Sequence, residues 1–168
     1  ARGVYLPAAT FDAGERPDEH PAERAQRWYR YRCLAEAPGD AVLSHQSAAA
    51  VLGLPLLRPD LRRIHVLNGR PTGGNVQRGR HIHVGVFDDD VVTVDGAAVT
   101  DLARTAVDVA VAGTFAQALA VFDAALARGV DREALAEVLD RRRRTGKGRT
   151  RRALAFADPL SANPGESW

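Results

Sequence analysis

The 168-residue chain carries 23 Lys and Arg against 21 Asp and Glu, with 45% apolar and 26% charged residues. That balance suits one ordinary globular domain and argues against wholesale disorder, a collagen-like chain or a coiled-coil rod. No apolar run approaches the ~18 residues of a membrane span, and no signal-peptide pattern opens the chain, so a cytoplasmic location is expected. One cysteine, Cys33, excludes an intrachain disulfide and any all-cysteine zinc site. The near-neutral net charge of +2 is uneven. Arg141, Arg142, Arg143, Arg144, Lys147, Arg149, Arg151 and Arg152 form an acid-free cluster, and the remainder is net acidic. The absence of methionine predicts a chain that begins inside a longer reading frame.

In chain order, Arg2–Pro7 reads as the end of a strand stopped by proline. Residues 8–20 are polar and loop-like. Pro21 opens a helix to about Glu36, with Trp28, Tyr31 and Ala35 on one face. Ser44 is the expected N-cap of a short helix, Gln46 to Leu52, stopped by Gly53 and Pro55. Three β-branched runs follow, 63–67, 81–86 and 91–94, with a Gly-rich loop from Asn68 to Gly79 between the first two. Asp95-Gly96 predicts a hairpin pairing 91–94 with 97–99. Thr100 is read as capping a helix to about Ala112. Thr114 and Gln117 match a capping box, ahead of an apolar stripe of Phe115, Leu119, Phe122 and Leu126. Asp131 caps a further helix with Leu135, Val138 and Leu139 inward. A short helical piece, 153–157, precedes a Pro/Ser/Gly-rich tail. The order of elements predicts an α+β fold, a small mostly antiparallel sheet flanked by helices and followed by a helical C-terminal part.

Few residues in this pattern point to catalysis. His81 and His83 alternate on one strand and share a face, and His65 lies on a strand that can neighbour it. With no cysteine or carboxylate at ligand spacing, these histidines are expected to face solvent beside Arg62, Arg63 and Arg80, and no metal or other cofactor is expected. Asp88-Asp89-Asp90 reads as a charged turn. Ser44 and His45 are adjacent at a helix start and are expected to diverge, without a nucleophile elbow around them. Cys33 reads as packing. Gly146-Lys147-Gly148 lacks the earlier glycine and the following Ser or Thr of a phosphate loop.

Two basic features are candidates for nucleic acid. The Arg141–Arg152 cluster could meet about 5–8 phosphates, and its glycines suggest a cationic hinge. The same stretch reads equally as a solvated interdomain linker. Arg24, Arg27 and Arg30 form an i, i+3, i+6 row on the first helix, interleaved with aromatic residues, although an ordinary amphipathic helix accounts for it too.

Leu43 to Pro55, with Ser44, His45, Ser47, Gly53, Leu54 and Pro55, resembles the short helix ending Gly-Leu-Pro of AbiEi-type antitoxins and transcriptional regulators. Val99 to Asp108, with Thr100, Arg104, Thr105 and Asp108, is similar to their Thr-x-x-x-Arg-Thr-x-x-Asp helix. The resemblance spans about Arg2 to Ala127. It implies a non-catalytic, C-terminal-type regulatory domain over 8–140, with 1–7 the end of a winged helix-turn-helix that reads promoter DNA. It also implies a nucleotidyltransferase-like toxin as the system's partner. Residues 157–167 resemble the opening of a very-short-patch-repair-type endonuclease domain, with Glu166 matching its first acidic residue. On that resemblance 141–168 would be a basic hinge and the start of a further domain, the chain alone lacking the carboxylates a nuclease needs. An accessory region of such a nuclease is one alternative function. A protein–protein interaction domain without nucleic acid contact is the other.

Overall fold

A computed structural model describes residues 14, 16–37, 39, 41–85, 90–141 and 147–161. Pro21 starts α1 (Pro21–Glu36), where its fixed φ suits the first turn, and the His20 side chain accepts a hydrogen bond from the Ala22 amide. A two-residue strand, β1 (Val42–Leu43), leads into α2 (His45–Leu52). Gly53 closes that helix at φ 70°, a left-handed conformation that glycine adopts without steric cost. Then come β2 (Ile64–Leu67), β3 (Asn75–Gln77), β4 (Arg80–His83), β5 (Val91–Val94) and β6 (Ala97–Thr100). Asp95 and Gly96 both have positive φ, 50° and 80°, as the predicted tight hairpin requires. Four α-helices follow, α3 (Leu102–Ala112), α4 (Phe115–Ala127), α5 (Arg132–Arg141) and α6 (Lys147–Phe156), and a short 3-10 turn, Pro159–Ser161, ends the described chain. Both hydrogen bonds of the capping box at Thr114 and Gln117 are present.

The fold is α+β, with one six-stranded sheet in the order β3-β4-β2-β1-β6-β5. It is mixed: β1–β2, β3–β4 and β5–β6 are antiparallel, whereas β2–β4 and β1–β6 are parallel. Two apolar clusters hold it. Tyr29, Cys33 and Leu34 of α1 join Ala48 and Val51 of α2 against Leu43, Ile64, Val66 and Val99 of the sheet. Val107 and Ala110 of α3, Phe122 of α4, Leu135 and Leu139 of α5 and Leu154 of α6 form the second. Ala49 of α2 and Leu54, just beyond its Gly53 cap, tie this region into it.

Several local expectations need correcting. Trp28 is 47% exposed, while Tyr29, Tyr31, Cys33 and Leu34 carry the burial of α1. Tyr29 is drawn inward because its hydroxyl donates to the Arg63 carbonyl (2.6 Å) and shares a hydrogen bond with Ser47 Oγ (2.7 Å). Thr100 ends β6, and Asp101 caps α3 by accepting from the Arg104 amide at 2.8 Å. Residues 147–152 form the first turns of α6, with Thr150 fully buried, so that helix starts at Lys147 and not at the expected Ala153. Arg142, Arg143 and Arg144, the segments 1–7 and 162–168, Asp88, Asp89 and Glu166 lie outside the described residues.

Candidate functional site: a histidine cluster beside a buried arginine

Parallel pairing of β2 with β4 sets His65 opposite His81 and Leu67 opposite His83. Side chains alternate along a strand, so all three histidines occupy one sheet face. Ile64, Val66 and Ile82 turn to the other face and join the apolar cluster under α1. His65 Nδ1 and His83 Nε2 are 2.9 Å apart, and the His81 and His83 rings stack with centroids 3.8 Å apart. A fourth imidazole arrives from α2, where the His45 ring stacks on His83 at 3.6 Å and 13°.

These rings do not face solvent as expected. His45, His65 and His83 are buried, and His81 is half-buried. Burial, with the neighbouring His81, pushes the His65 pKa down to about 4, so His65 is neutral at pH 7. Ser44 and His45 also converge, with Ser44 Oγ 3.1 Å from His45 Nδ1. Ser44 holds the N-cap position without a side-chain cap bond, and His45 sits at φ 51°. A non-glycine residue in the left-handed region stores strain that the surrounding structure must hold in place. Here the stacking on His83 and the bond to Ser44 fix the ring. Ser47, on the same helix, accepts from the His65 amide at 2.8 Å and links this corner to Tyr29.

The second family-like motif forms its own network. Arg104, 1% exposed, directs Nη1 to both carboxylate oxygens of Asp90 and has Nε 3.6 Å from Asp108. Thr105 Oγ1 donates to the Thr100 carbonyl (2.9 Å) and lies 2.8 Å from Thr100 Oγ1, tying α3 to the end of β6. A Cβ on Gly85, two residues beyond His83, would stand 2.9 Å from both Arg104 Nη2 and Leu67 Cδ2. This close approach places the arginine beside the strand end that carries the histidines. The Gly-Leu-Pro turn is equally tied in. Leu54 is buried, and Arg128, the C-cap of α4, donates to the carbonyls of Leu52 (2.6 Å) and Gly53 (2.5 Å).

The arginine row on α1 is occupied within the protein. Arg27 Nε and Nη2 make a bidentate pair with Glu19 (2.9 and 2.8 Å), which holds the Glu19 carboxyl below its ordinary range. Arg24 lies 3.8 Å from the same carboxylate, and Arg30 spans to Asp95 in the hairpin turn at 2.5 Å. On α6, Lys147 donates to the Asp140 carbonyl (2.9 Å), Arg149 to the Val111 carbonyl (3.4 Å) and Arg151 to the Asp140 carboxylate (2.5 Å). Arg149, Arg151 and Arg152 are exposed there, as is Arg141 at the end of α5.

Sequence reasoning missed His45 as a member of the cluster and Asp90 as the partner of Arg104. No local pattern reveals either, because α2 meets β4, and Asp90 meets α3, only in the folded chain. The parallel β2–β4 pairing is likewise non-local.

Residues 40–156 match the family model described as the AbiEi antitoxin C-terminal domain. No curated protein and no solved structure matches the chain.

Proposed function

Because this chain belongs to the AbiEi antitoxin C-terminal domain family, we propose that it is the non-catalytic regulatory domain of an antitoxin that also acts as a transcriptional regulator. Its own contact with DNA is weak, independent of base sequence, and made to phosphates by the basic cluster Arg141–Arg152. Sequence-specific reading belongs to a winged helix-turn-helix in the parent protein, and the system's toxin is nucleotidyltransferase-like. The observation that carries the reading is the extent of the family match, which runs from the approach to β1 through to the last residue of α6. The resemblance to the opening of a nuclease domain falls beyond that match, on residues 157–167.

Physical support comes from the contrast between the two basic features. On α1, Arg27 is mostly buried against Glu19, whereas Arg151 and its partner Asp140 are each 59% exposed. An exposed pair of that kind contributes little, about 0–1 kcal/mol, and a phosphate can replace the carboxylate at small cost. The family-motif residues Ser47, Gly53, Leu54, Thr100, Arg104, Thr105 and Asp108 act as internal ties, and none is given a role in contacting DNA.

Co-expression of the parent protein with a toxin of the nucleotidyltransferase-like class tests the antitoxin assignment. Growth is expected to be restored by the parent protein and lost when residues 40–156 are removed from it. Restoration without those residues would contradict the assignment. Supercoiled DNA incubated with the chain and magnesium or manganese is expected to stay intact, and cleavage by the purified chain would overturn the non-catalytic reading.

A further inference from the structure

The geometry points to a transition-metal site in which His65, His81 and His83 each give one imidazole nitrogen to a single zinc-class divalent ion, joining β2 to β4. One ring nitrogen from each of the three lies within 4.8 Å of the other two. Zinc–imidazole bonds of about 2.0–2.1 Å set tetrahedral ligand nitrogens roughly 3.4 Å apart, so rotations of the side chains suffice to close the triangle. The backbone is already placed. His65 and His81 are in-register partners on adjacent parallel strands, and His83 follows two residues on, on the same face.

The donor set selects the class of ion. Three neutral nitrogens without a carboxylate suit zinc, copper, nickel or cobalt and do not suit magnesium or calcium, which need oxygen ligands. Three protein ligands leave a fourth position for water or an added group, the composition of zinc sites with an open coordination position. Half-buried His81 gives that position a route to solvent, while buried His65 and His83 form its floor. His45 stacks flat on His83 and fixes the orientation of that ring from α2. Bridging β2 and β4 would also close the base of the 68–79 loop between them. The inference is independent of the antitoxin assignment, and its failure would leave that assignment intact.

The test is a titration of the untagged, EDTA-treated chain with zinc(II) alone, followed calorimetrically, with cobalt(II) as a spectroscopic substitute. The expected result is uptake of one ion per chain, a higher melting temperature and a visible cobalt spectrum of four-coordinate type. His81→Ala, at the most accessible ligand, should weaken binding by at least about 100-fold, while His20→Asn, at an exposed histidine outside the cluster, should leave it unchanged. Should the His81 variant fail to fold, imidazole ¹⁵N shifts of the unaltered chain decide, with zinc expected to move His65, His81 and His83 together. Absence of one-to-one uptake, affinity unchanged in folded His81→Ala, or shifts confined to His20 would overturn the proposal.

Discussion

Arg104 on α3 places Nη1 2.8 and 2.7 Å from the two carboxylate oxygens of Asp90, the residue just before β5. The pair joins the helix to the sheet edge, and the Asp101 amide bonding the Asp90 carbonyl at 2.8 Å supports it. Both Arg104 and Asp108 are buried, so removing the guanidinium leaves carboxylates without their cation in a poorly solvated place. Arg104→Ala should cost about 3–5 kcal/mol in urea denaturation, and Arg104→Met less than Arg104→Ala because it retains packing volume. Loss below about 1 kcal/mol for Arg104→Ala would contradict this account.

Gly85 tests the same junction sterically. Its neighbours leave no room for a methyl group without moving Leu67 or Arg104. Gly85→Ala should destabilise by about 1–3 kcal/mol, and the penalty should shrink in an Arg104→Met background. Additive effects in that double-mutant cycle would show that the two positions do not compete for space.

Much of the fold follows from local chemistry. Pro21, the Thr114–Gln117 box and the Asp95-Gly96 hairpin all act within a few residues, and each is present at its expected place. Elements without such signals are not legible in the sequence. β1 is two residues long, too short to show a period, and β3 is a fully exposed strand inside the Gly-rich loop, stabilised by pairing with β4. Gly148 obscures the start of α6, since the burial of that helix rests on Thr150, Ala153 and Leu154 docking against other helices. The histidine cluster illustrates the same limit. Alternation puts His81 and His83 on one face, yet their burial and the arrival of His45 depend on partners far away in sequence.

Burial of the Cys33 thiol, which pushes its pKa up to about 11, makes it a poor nucleophile in the folded protein. Reaction with a thiol-specific disulfide reagent at about pH 8, near the ordinary thiol pKa, should be slow in buffer and complete in denaturant. Rapid labelling of the native chain would contradict the packing of α1 against the sheet.

The metal-free chain should lose stability in mild acid. The His65 pKa is lowered from 6.5 to about 4 by burial and by His81, with Asp60 opposing and Arg63 reinforcing the shift. His83 and, through it, His45 pack against the same ring. Between about pH 6.5 and 4 the unfolded chain binds a proton at His65 that the folded chain does not, so stability rises with pH across that window. The contribution is complete above about pH 6.5 and declines as pH falls toward 4, by on the order of 1–3 kcal/mol. Urea midpoints measured in EDTA check it, with His65→Gln expected to flatten the profile and an unchanged profile contradicting the assignment.

The most direct test of the proposed DNA contact is the salt dependence of duplex binding by fluorescence anisotropy. Log affinity should fall against log salt with a slope of about −4 to −7, equal for unrelated duplexes, as expected for about 5–8 phosphates. Replacing Lys147, Arg149, Arg151 and Arg152 together by Gln should reduce that slope by about 3–4 while the melting temperature stays within a few degrees. An unchanged slope in the folded variant would contradict the claim that α6 carries the contact.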